Sequence, residues 1–327
     1  MTDESVGLAS IGLGWWGGVL AEAAAKSADV VACYARDPET RAQFAEKHGC
    51  RAATDLGDIW SDPEIDGVMV ATPHQIRLEI VEAAAAAGKH VFVEKPLALT
   101  GAEARACADA AKAARVVLQV GHNKRRQTAN RRLAELVHGG DLGDVQYLET
   151  HISVPVAFKP SVPEWRQQPE QLPAGGMTPL GVHMVDAIGY LGGAVTEVFT
   201  MSRRVFGRYA VEDVTSVVLG LESGPLASLT TLMAVGPVTT IGIYGTEACA
   251  WSEGDGVRLY IQPRGASERT EEKVETIDTV ADELAEFVAC IRSGDKPETG
   301  APEGVAVAAI LEAIVKSAET NAPAPVR

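Results

Sequence analysis

The sequence predicts an α/β fold in two parts: an N-terminal doubly wound parallel sheet and a C-terminal α+β domain with an open, largely antiparallel sheet. Three observations carry this expectation. An apolar run, Ala9-Ser10-Ile11, leads into Gly12-Leu13-Gly14-Trp15-Trp16-Gly17, a G-x-G-x-x-G spacing followed by an Ala-rich helical segment, Val19–Lys26. Through about residue 120, short apolar strands alternate with amphipathic helices, the rhythm of βαβ units. Beyond about residue 123 the runs lengthen and alternate, as antiparallel strands with one solvated face do. Residues 1–122 are therefore assigned to the dinucleotide-type domain and 123–327 to a second domain, with the C-terminal helix a candidate to pack back on the first.

Taken in order, strands are expected at Leu8–Ile11, Val30–Tyr34, near Cys50–Ala52, and at Gly67–Ala71, His90–Val93 and Val116–Val120. The helices between them carry end signals. Asp37-Pro38 sets an N-cap before a proline at the first helical position, and Gly49 stops that helix. Gly88 closes the segment rich in Ala83–Ala87, and Thr100-Gly-Ala-Glu103 has the spacing of a capping box. In the second part, helices are expected at Arg126–His138, Leu180–Tyr190, Val280–Ser293 and Pro302–Glu319. The strands there are Val145–Val154, Val195–Val205, Val214–Leu221, Leu226–Ala234 and Thr239–Tyr244. Phe158–Pro179 is the longest irregular stretch, and loops of that length commonly carry function.

Composition narrows the function classes. No apolar run approaches the roughly 18–20 residues that span a bilayer, and the N-terminus MTDESV lacks a basic, apolar leader, so a cytoplasmic protein is expected. Five scattered cysteines without a C-x-x-C pair argue against a disulfide framework or a zinc site, and no metal is expected. With 29 basic against 44 acidic residues the net charge is −15, which disfavours nucleic acid or an anionic membrane as partner.

The three glycines Gly12, Gly14 and Gly17 answer separate needs: a tight turn, close approach of backbone to a pyrophosphate, and close helix–strand packing. Trp15 and Trp16 fall inside the same loop. Where a dinucleotide site places an acid on the ribose, at the end of the second strand, this chain has Ala35 and then Arg36. A small residue beside a guanidinium suits a 2′-phosphate, which favours NADP(H), with NAD(H) as the alternative and a solvated surface Arg36 as the bland one. Asp37 is better read as the helix cap. Thr72-Pro73-His74 and Glu94-Lys95-Pro96 follow expected central strands, at whose carboxyl ends open α/β sheets bind ligands. Lys95 is either a proton-transfer group for a substrate hydroxyl or half of a strand-end ion pair with Glu94. On the helix after Ala174-Gly175-Gly176, His183 and Asp186 share a face, as a catalytic histidine or a satisfied core one.

These motifs together resemble the glucose–fructose oxidoreductase/inositol dehydrogenase (Gfo/Idh/MocA) family along nearly the whole chain. The matching segments are the glycine loop, Gly88-Lys89-His90-Val91-Phe92-Val93-Glu94-Lys95-Pro96, Gly121-His122-Asn123-Lys124-Arg125-Arg126, Gly181-Val182-His183-Met184-Val185-Asp186, Tyr244-Gly245-Thr246-Glu247 and Glu286–Gly294. The resemblance implies a Rossmann domain and a second α/β domain whose open sheet takes part in forming a homodimer or homotetramer. It implies an NAD(P)-dependent dehydrogenase or reductase acting on a secondary alcohol or ketone of a sugar, cyclitol or related cyclic diol. Lys95 corresponds to the catalytic lysine, with Lys95-Pro96 in cis, and His183 to the catalytic histidine. Cofactor contacts fall on the glycine loop, Ala35, Arg36, Thr72, Pro73, His74, Glu94 and Lys95. Substrate contacts fall on Lys95, His122, Asn123, Arg125, Thr178 and His183.

Two departures stand out. Four residues before His183 the family's usual aspartate is replaced by Pro179, with Thr178 as the nearest polar neighbour. The family's usual Asn and His of the T-P turn are His74 and Arg77, which puts more positive charge beside the cofactor. Lys124, Arg125, Arg126, Arg131 and Arg132 form a basic cluster, read either as a solvated helix face or as a site for an anionic substrate. Trp165-Arg166 in the Pro-rich loop either walls the substrate pocket or packs beneath the loop. Two other readings stand beside the dehydrogenase: a cofactor-binding regulatory protein without turnover, motivated by Pro179, and a redox-assisted lyase or glycosidase that borrows and returns a hydride.

Overall fold

The computed structural model describes residues 5–160 and 167–327. The chain divides into two compact units, residues 1–123 with 278–305, and 124–277 with 306–327.

The first unit runs β1 (Gly7–Ile11), α1 (Trp15–Ala24), β2 (Asp29–Tyr34), α2 (Pro38–His48), β3 (Arg51–Ala52), α3 (Leu56–Trp60), β4 (Gly67–Val70), α4 (Arg77–Ala86), β5 (His90–Glu94), α5 (Gly101–Ala114) and β6 (Leu118–Gly121). The six strands are parallel in the order β3-β2-β1-β4-β5-β6. Sandwiched strands must be apolar on both faces, and β1, β4 and β6 are buried along their whole length. The helices begin and end where their caps dictate. Asp37 accepts from the Thr40 amide at 2.9 Å and Gly49 closes α2 at φ 67°, while Asp55 and Asp58 form a reciprocal capping box on α3. At α5 only half of the expected box is present: Thr100 accepts from the Glu103 amide, but the Glu103 carboxylate accepts from the Thr100 hydroxyl instead of its backbone N–H. The glycine-loop helix starts at Trp15, one turn earlier than its alanines suggested.

Residues 278–305 belong to this unit through α8 (Thr279–Ser293). Phe287 on α8 meets Phe92 on β5 edge-on at 5.9 Å, an arrangement worth about 0.5–1.5 kcal/mol beyond the area it buries. Leu8, Met69, Leu284 and Val288 complete that core. Gln119 Nε2 donates to the Glu283 carbonyl at 2.8 Å, and Thr299 Oγ1 donates to the Val120 carbonyl at 2.7 Å.

The second unit comprises α6 (Thr128–His138), β7 (Val145–Ser153), α7 (Gly181–Gly192), β8 (Val195–Arg203), β9 (Val214–Leu221), β10 (Leu226–Leu232), β11 (Val238–Gly245), β12 (Ala248–Glu253), β13 (Arg258–Pro263), β14 (Thr270–Glu272), the later turns of α9 (Ala301–Thr320) and β15 (Ala324–Pro325). Its nine-stranded sheet has the order β14-β13-β12-β11-β7-β10-β9-β8-β15, antiparallel except for the β7–β10 pair. Leu148, Leu229, Ile241 and Leu219 point from one face into a core with Leu133, Val185, Ile188 and Ile314. The alternation leaves Tyr147, Tyr244, Trp251, Val218, Phe199 and Met201 on the other face. The expected helix at Arg126–His138 is a 3₁₀ turn, Asn123–Arg126, followed by α6. Among the described residues no helix is long and apolar enough to cross a membrane.

Candidate active site

In the first unit every motif singled out from the sequence follows the carboxyl end of a parallel strand. The glycine loop follows β1, Tyr34-Ala35-Arg36 ends and follows β2, Thr72-Pro73-His74 follows β4, Lys95 follows β5 and His122 follows β6. Strand order reverses between β1 and β4, the kind of crevice where such sheets take their ligands.

The glycine loop fits a dinucleotide by its shape. Gly12 has φ 93°, and a Cβ there would lie 2.7 Å from the Ala71 carbonyl group. A Cβ at Gly17 would lie 2.1 Å from the Gly12 carbonyl oxygen. Gly14, by contrast, has open space on its side-chain side. Gly14 is also the N-cap of α1, where no side chain caps the helix and no acid stands in its first turn. The N–H groups and positive end of α1 are thereby left for an anion. Trp15 is 79% exposed, and Trp16, half-buried, lies 5.2 Å from it ring to ring. At the end of β2, Ala35 is half-buried and Arg36 exposed. Asp37 is committed to Thr40, whose hydroxyl and amide hold its carboxyl below the usual range, so it is a helix cap.

Around β4 and β5 the groups are buried. Thr72 and His74 lie inside, and Pro73 is exposed. Glu94 is buried, and burial pushes its carboxyl pKa up against the opposing pull of Lys95. Lys95 is half-buried, and Lys95-Pro96 is cis. Arg77 is not a loose charge. Its guanidinium is buried and donates to the backbone carbonyls of Thr72, Glu94 and Pro96. In sequence Arg77 stands out only as a departure from the family pattern, since the carbonyls it meets lie at or past the ends of β4 and β5. Gly121 opens one of the family-like segments, and its missing side chain is what admits the Glu94 carboxylate, a role that sequence alone does not signal. Asn123 is engaged by α8, donating from Nδ2 to Thr279 Oγ1 at 3.1 Å, and His122 is buried.

In the second unit, the 3₁₀ turn Gly175–Met177 leads to Thr178, buried and donating to the Pro173 carbonyl at 2.8 Å, and to half-buried Pro179. On α7, His183 is 8% exposed, and Asp186, one turn on, is 2% exposed. Arg125 grips Asp186 with Nε at 3.1 Å from Oδ2 and Nη2 at 2.5 Å from Oδ1, and its guanidinium lies 4.6 Å from the Tyr190 ring centre. The basic cluster is therefore not a solvated face. Arg125 and Arg126 are buried, Lys124 pairs with Asp255, and Arg132 pairs with Glu135 and Glu272. Trp165 and Arg166 lie outside the described residues.

Comparison with known proteins agrees with this fold. Residues 6–122 match the family model described as "Oxidoreductase family, NAD-binding Rossmann fold", and residues 130–250 match the Gfo/Idh/MocA C-terminal domain. An uncharacterized oxidoreductase of Streptococcus pneumoniae is 34% identical over 59% of this chain, and the match spans about half of that protein, 52%. A 1,5-anhydro-D-fructose reductase of Ensifer adhaerens is 26% identical over 98% of this chain and 97% of its own. A D-apiose dehydrogenase of Paraburkholderia graminis is 28% identical over 91% of this chain and 86% of its own. A solved levoglucosan dehydrogenase in complex with NADH and levoglucosan superposes with a TM-score of 0.91 at 25% identity, covering 99% of this chain and 100% of that one. Dehydrogenases and reductases thus surround a chain whose first domain is an NAD-binding Rossmann fold, and the protein belongs to the Gfo/Idh/MocA oxidoreductase family.

Proposed function

We propose that this protein is a dehydrogenase or reductase, preferring NADP(H), that interconverts a secondary alcohol and a ketone on a sugar, cyclitol or related cyclic diol. The observation that carries the reading is Lys95, a half-buried amine next after β5, at the same carboxyl edge of the parallel sheet as a glycine loop fit for a pyrophosphate. A bound nicotinamide supplies the hydride acceptor or donor at its C4. In the oxidative direction Lys95 takes the proton from the substrate hydroxyl, and in the reductive direction it returns that proton. His183 assists by orienting the substrate. Pro179 carries neither a charge nor a donor, so the proton does not pass through a three-residue relay. Arg36, exposed past β2 and beside small Ala35, is the group for a 2′-phosphate.

The named relatives supply the substrates to try: 1,5-anhydro-D-fructose with NADPH or NADH, and levoglucosan and D-apiose with NADP⁺ or NAD⁺. Wild-type turnover of one of these, lost in Lys95→Met with NADPH binding retained, supports the reading. Tight cofactor binding with no turnover across a broad panel of sugars and cyclitols sinks it, in favour of a cofactor-binding regulator.

The open face of the nine-stranded sheet supports a homodimer or homotetramer. On β8 and β9, Val218 and Met201 are about half exposed beside Phe199, and on β11 and β12 Tyr244 and Trp251 pair on the same face, apolar groups of the kind an interface between copies covers.

A further inference from the structure

A guanidinium is buried under the end of β5 with backbone carbonyls as its hydrogen-bond acceptors. Arg77 is 4% exposed, and desolvation lowers its pKa to about 10, so it remains charged at neutral pH. Nε and Nη2 both donate to the Thr72 carbonyl, at 3.1 and 2.9 Å. Nη1 donates to the carbonyls of Glu94 and Pro96, the residues on either side of Lys95. One planar fork therefore ties the chain leaving β4 to the chain leaving β5 and brackets a single residue. A lysine at 77 would bring a point charge to one place, whereas these acceptors lie on two strand ends and need donors fixed in a plane. Taking a cation out of water is costly, and here it is met by three backbone carbonyls on two strand ends, a cost a mere filler would not carry.

From this we infer that Arg77 is a positioning residue: it fixes the backbone on both sides of Lys95 and so sets where the amine stands. The inference deepens the proposed function, because it rests on Lys95 as the acid/base. It does so through geometry that can be measured without a substrate.

The same unit offers a matched control. Lys89 is also buried, and its Nζ also donates to two backbone carbonyls, those of Asp62 and Ile65 at 2.7 and 2.8 Å, but at the opposite, amino-terminal end of β5. A general strut and a positioning group are therefore separable by comparing Arg77→Met and Arg77→Lys with Lys89→Met. Hydrogen exchange of the Lys95, Leu97 and Ala98 amides, followed by mass spectrometry in the presence of NADPH, is expected to quicken at least about tenfold in both Arg77 variants and to stay at the wild-type rate in Lys89→Met. On whichever sugar the wild-type protein turns over, kcat is expected to fall about 100-fold in the Arg77 variants, as for an ångström-scale misplacement, with KM and NADPH affinity within a factor of about two. Unchanged exchange at 95–98 in Arg77→Met overturns the inference, and so does equal quickening in Lys89→Met. Failure of the proposed function looks different: no sugar is turned over, while the exchange comparison still decides whether Arg77 holds Lys95.

Discussion

Gly121 lacks a side chain where Glu94 keeps its carboxylate: a Cβ built at Gly121 would stand 2.7 Å from Glu94 Oε1. The two residues end neighbouring parallel strands, paired in register, and buried Phe92 closes the same space at 3.1 Å. The absence of a methyl group on one strand thus permits an acid to be buried on the next, immediately before Lys95.

That burial has a pH signature. The Glu94 pKa is raised above its ordinary value of 4.5, chiefly by desolvation, so the folded chain holds this proton over a window in which the unfolded chain has released it. The native state binds more protons there, and stability falls as pH rises from 4.5 to the raised value. Above it the loss is complete and constant. Glu94→Gln stays neutral throughout, so its Tm relative to wild type is expected to climb across that window and then level off. A difference that is flat or declining between pH 4 and neutrality contradicts this account.

The glycine loop separates stability from binding. Gly12→Ala forces a Cβ into the Ala71 carbonyl group at a φ of 93°, and Gly17→Ala forces one onto the Gly12 oxygen. Both are expected to destabilise the fold by about 1–3 kcal/mol or more, seen as a clear fall in Tm. Gly14→Ala meets nothing in the protein, so its Tm should fall far less than in the other two, by no more than the loss of a favoured N-cap, while NADPH affinity, followed by fluorescence of Trp15 and Trp16, collapses. Retained affinity in Gly14→Ala would mean that the pyrophosphate does not lie over this residue.

Arg36 is exposed, so its removal is a cofactor test without a folding penalty. Arg36→Ala is expected to weaken NADPH binding about tenfold or more, the worth of a charged hydrogen bond, and to leave NADH binding and Tm alone. Equal losses for the two cofactors would remove the 2′-phosphate from the reading of Ala35-Arg36.

The open sheet predicts assembly. Wild-type protein is expected to sediment as a dimer or tetramer, and Val218→Glu, which puts a charge on the exposed face beside Phe199, should shift it to monomer with the Rossmann unit still binding NADPH. A wild-type monomer at tens of micromolar would refute the expectation.

Much of this was legible because it is local. The Gly12 turn, the Asp37-Pro38 start and the Gly49 stop are each specified within a few residues, and they recur in the structure where the chain signals them. The strands β12 to β14 were not foreseen: Ala248–Glu253 is rich in small residues, and its strand character comes from pairing with β11 and β13. The polar residues were hardest to read, since their partners are distant. Thr178 is expected among the substrate contacts, and the sequence does not say that its hydroxyl proton goes to a carbonyl five residues back. Arg125 is expected on a solvated helix face or at an anionic substrate, whereas its carboxylate partner Asp186 lies 61 residues on, and nothing local names it.

That pair makes the final prediction. Arg125 and Asp186 are almost wholly buried, with side chains 8% and 1% exposed, and they are joined through two guanidinium nitrogens. Removing one member strands the other's charge in the core. Arg125→Met and Asp186→Leu singly are each expected to cost roughly 3–5 kcal/mol. Much of that cost is the orphaned ion, so the double variant should recover most of it, and the coupling in a double-mutant cycle should be large. The alternative is that Arg125 serves the substrate and is only incidentally near Asp186. In that case Arg125→Met would lose activity with little change in Tm, and the cycle would show the two effects simply adding. Chemical denaturation of the four proteins, without cofactor, distinguishes a helix pin that holds α7 and its His183 from a substrate-binding cation.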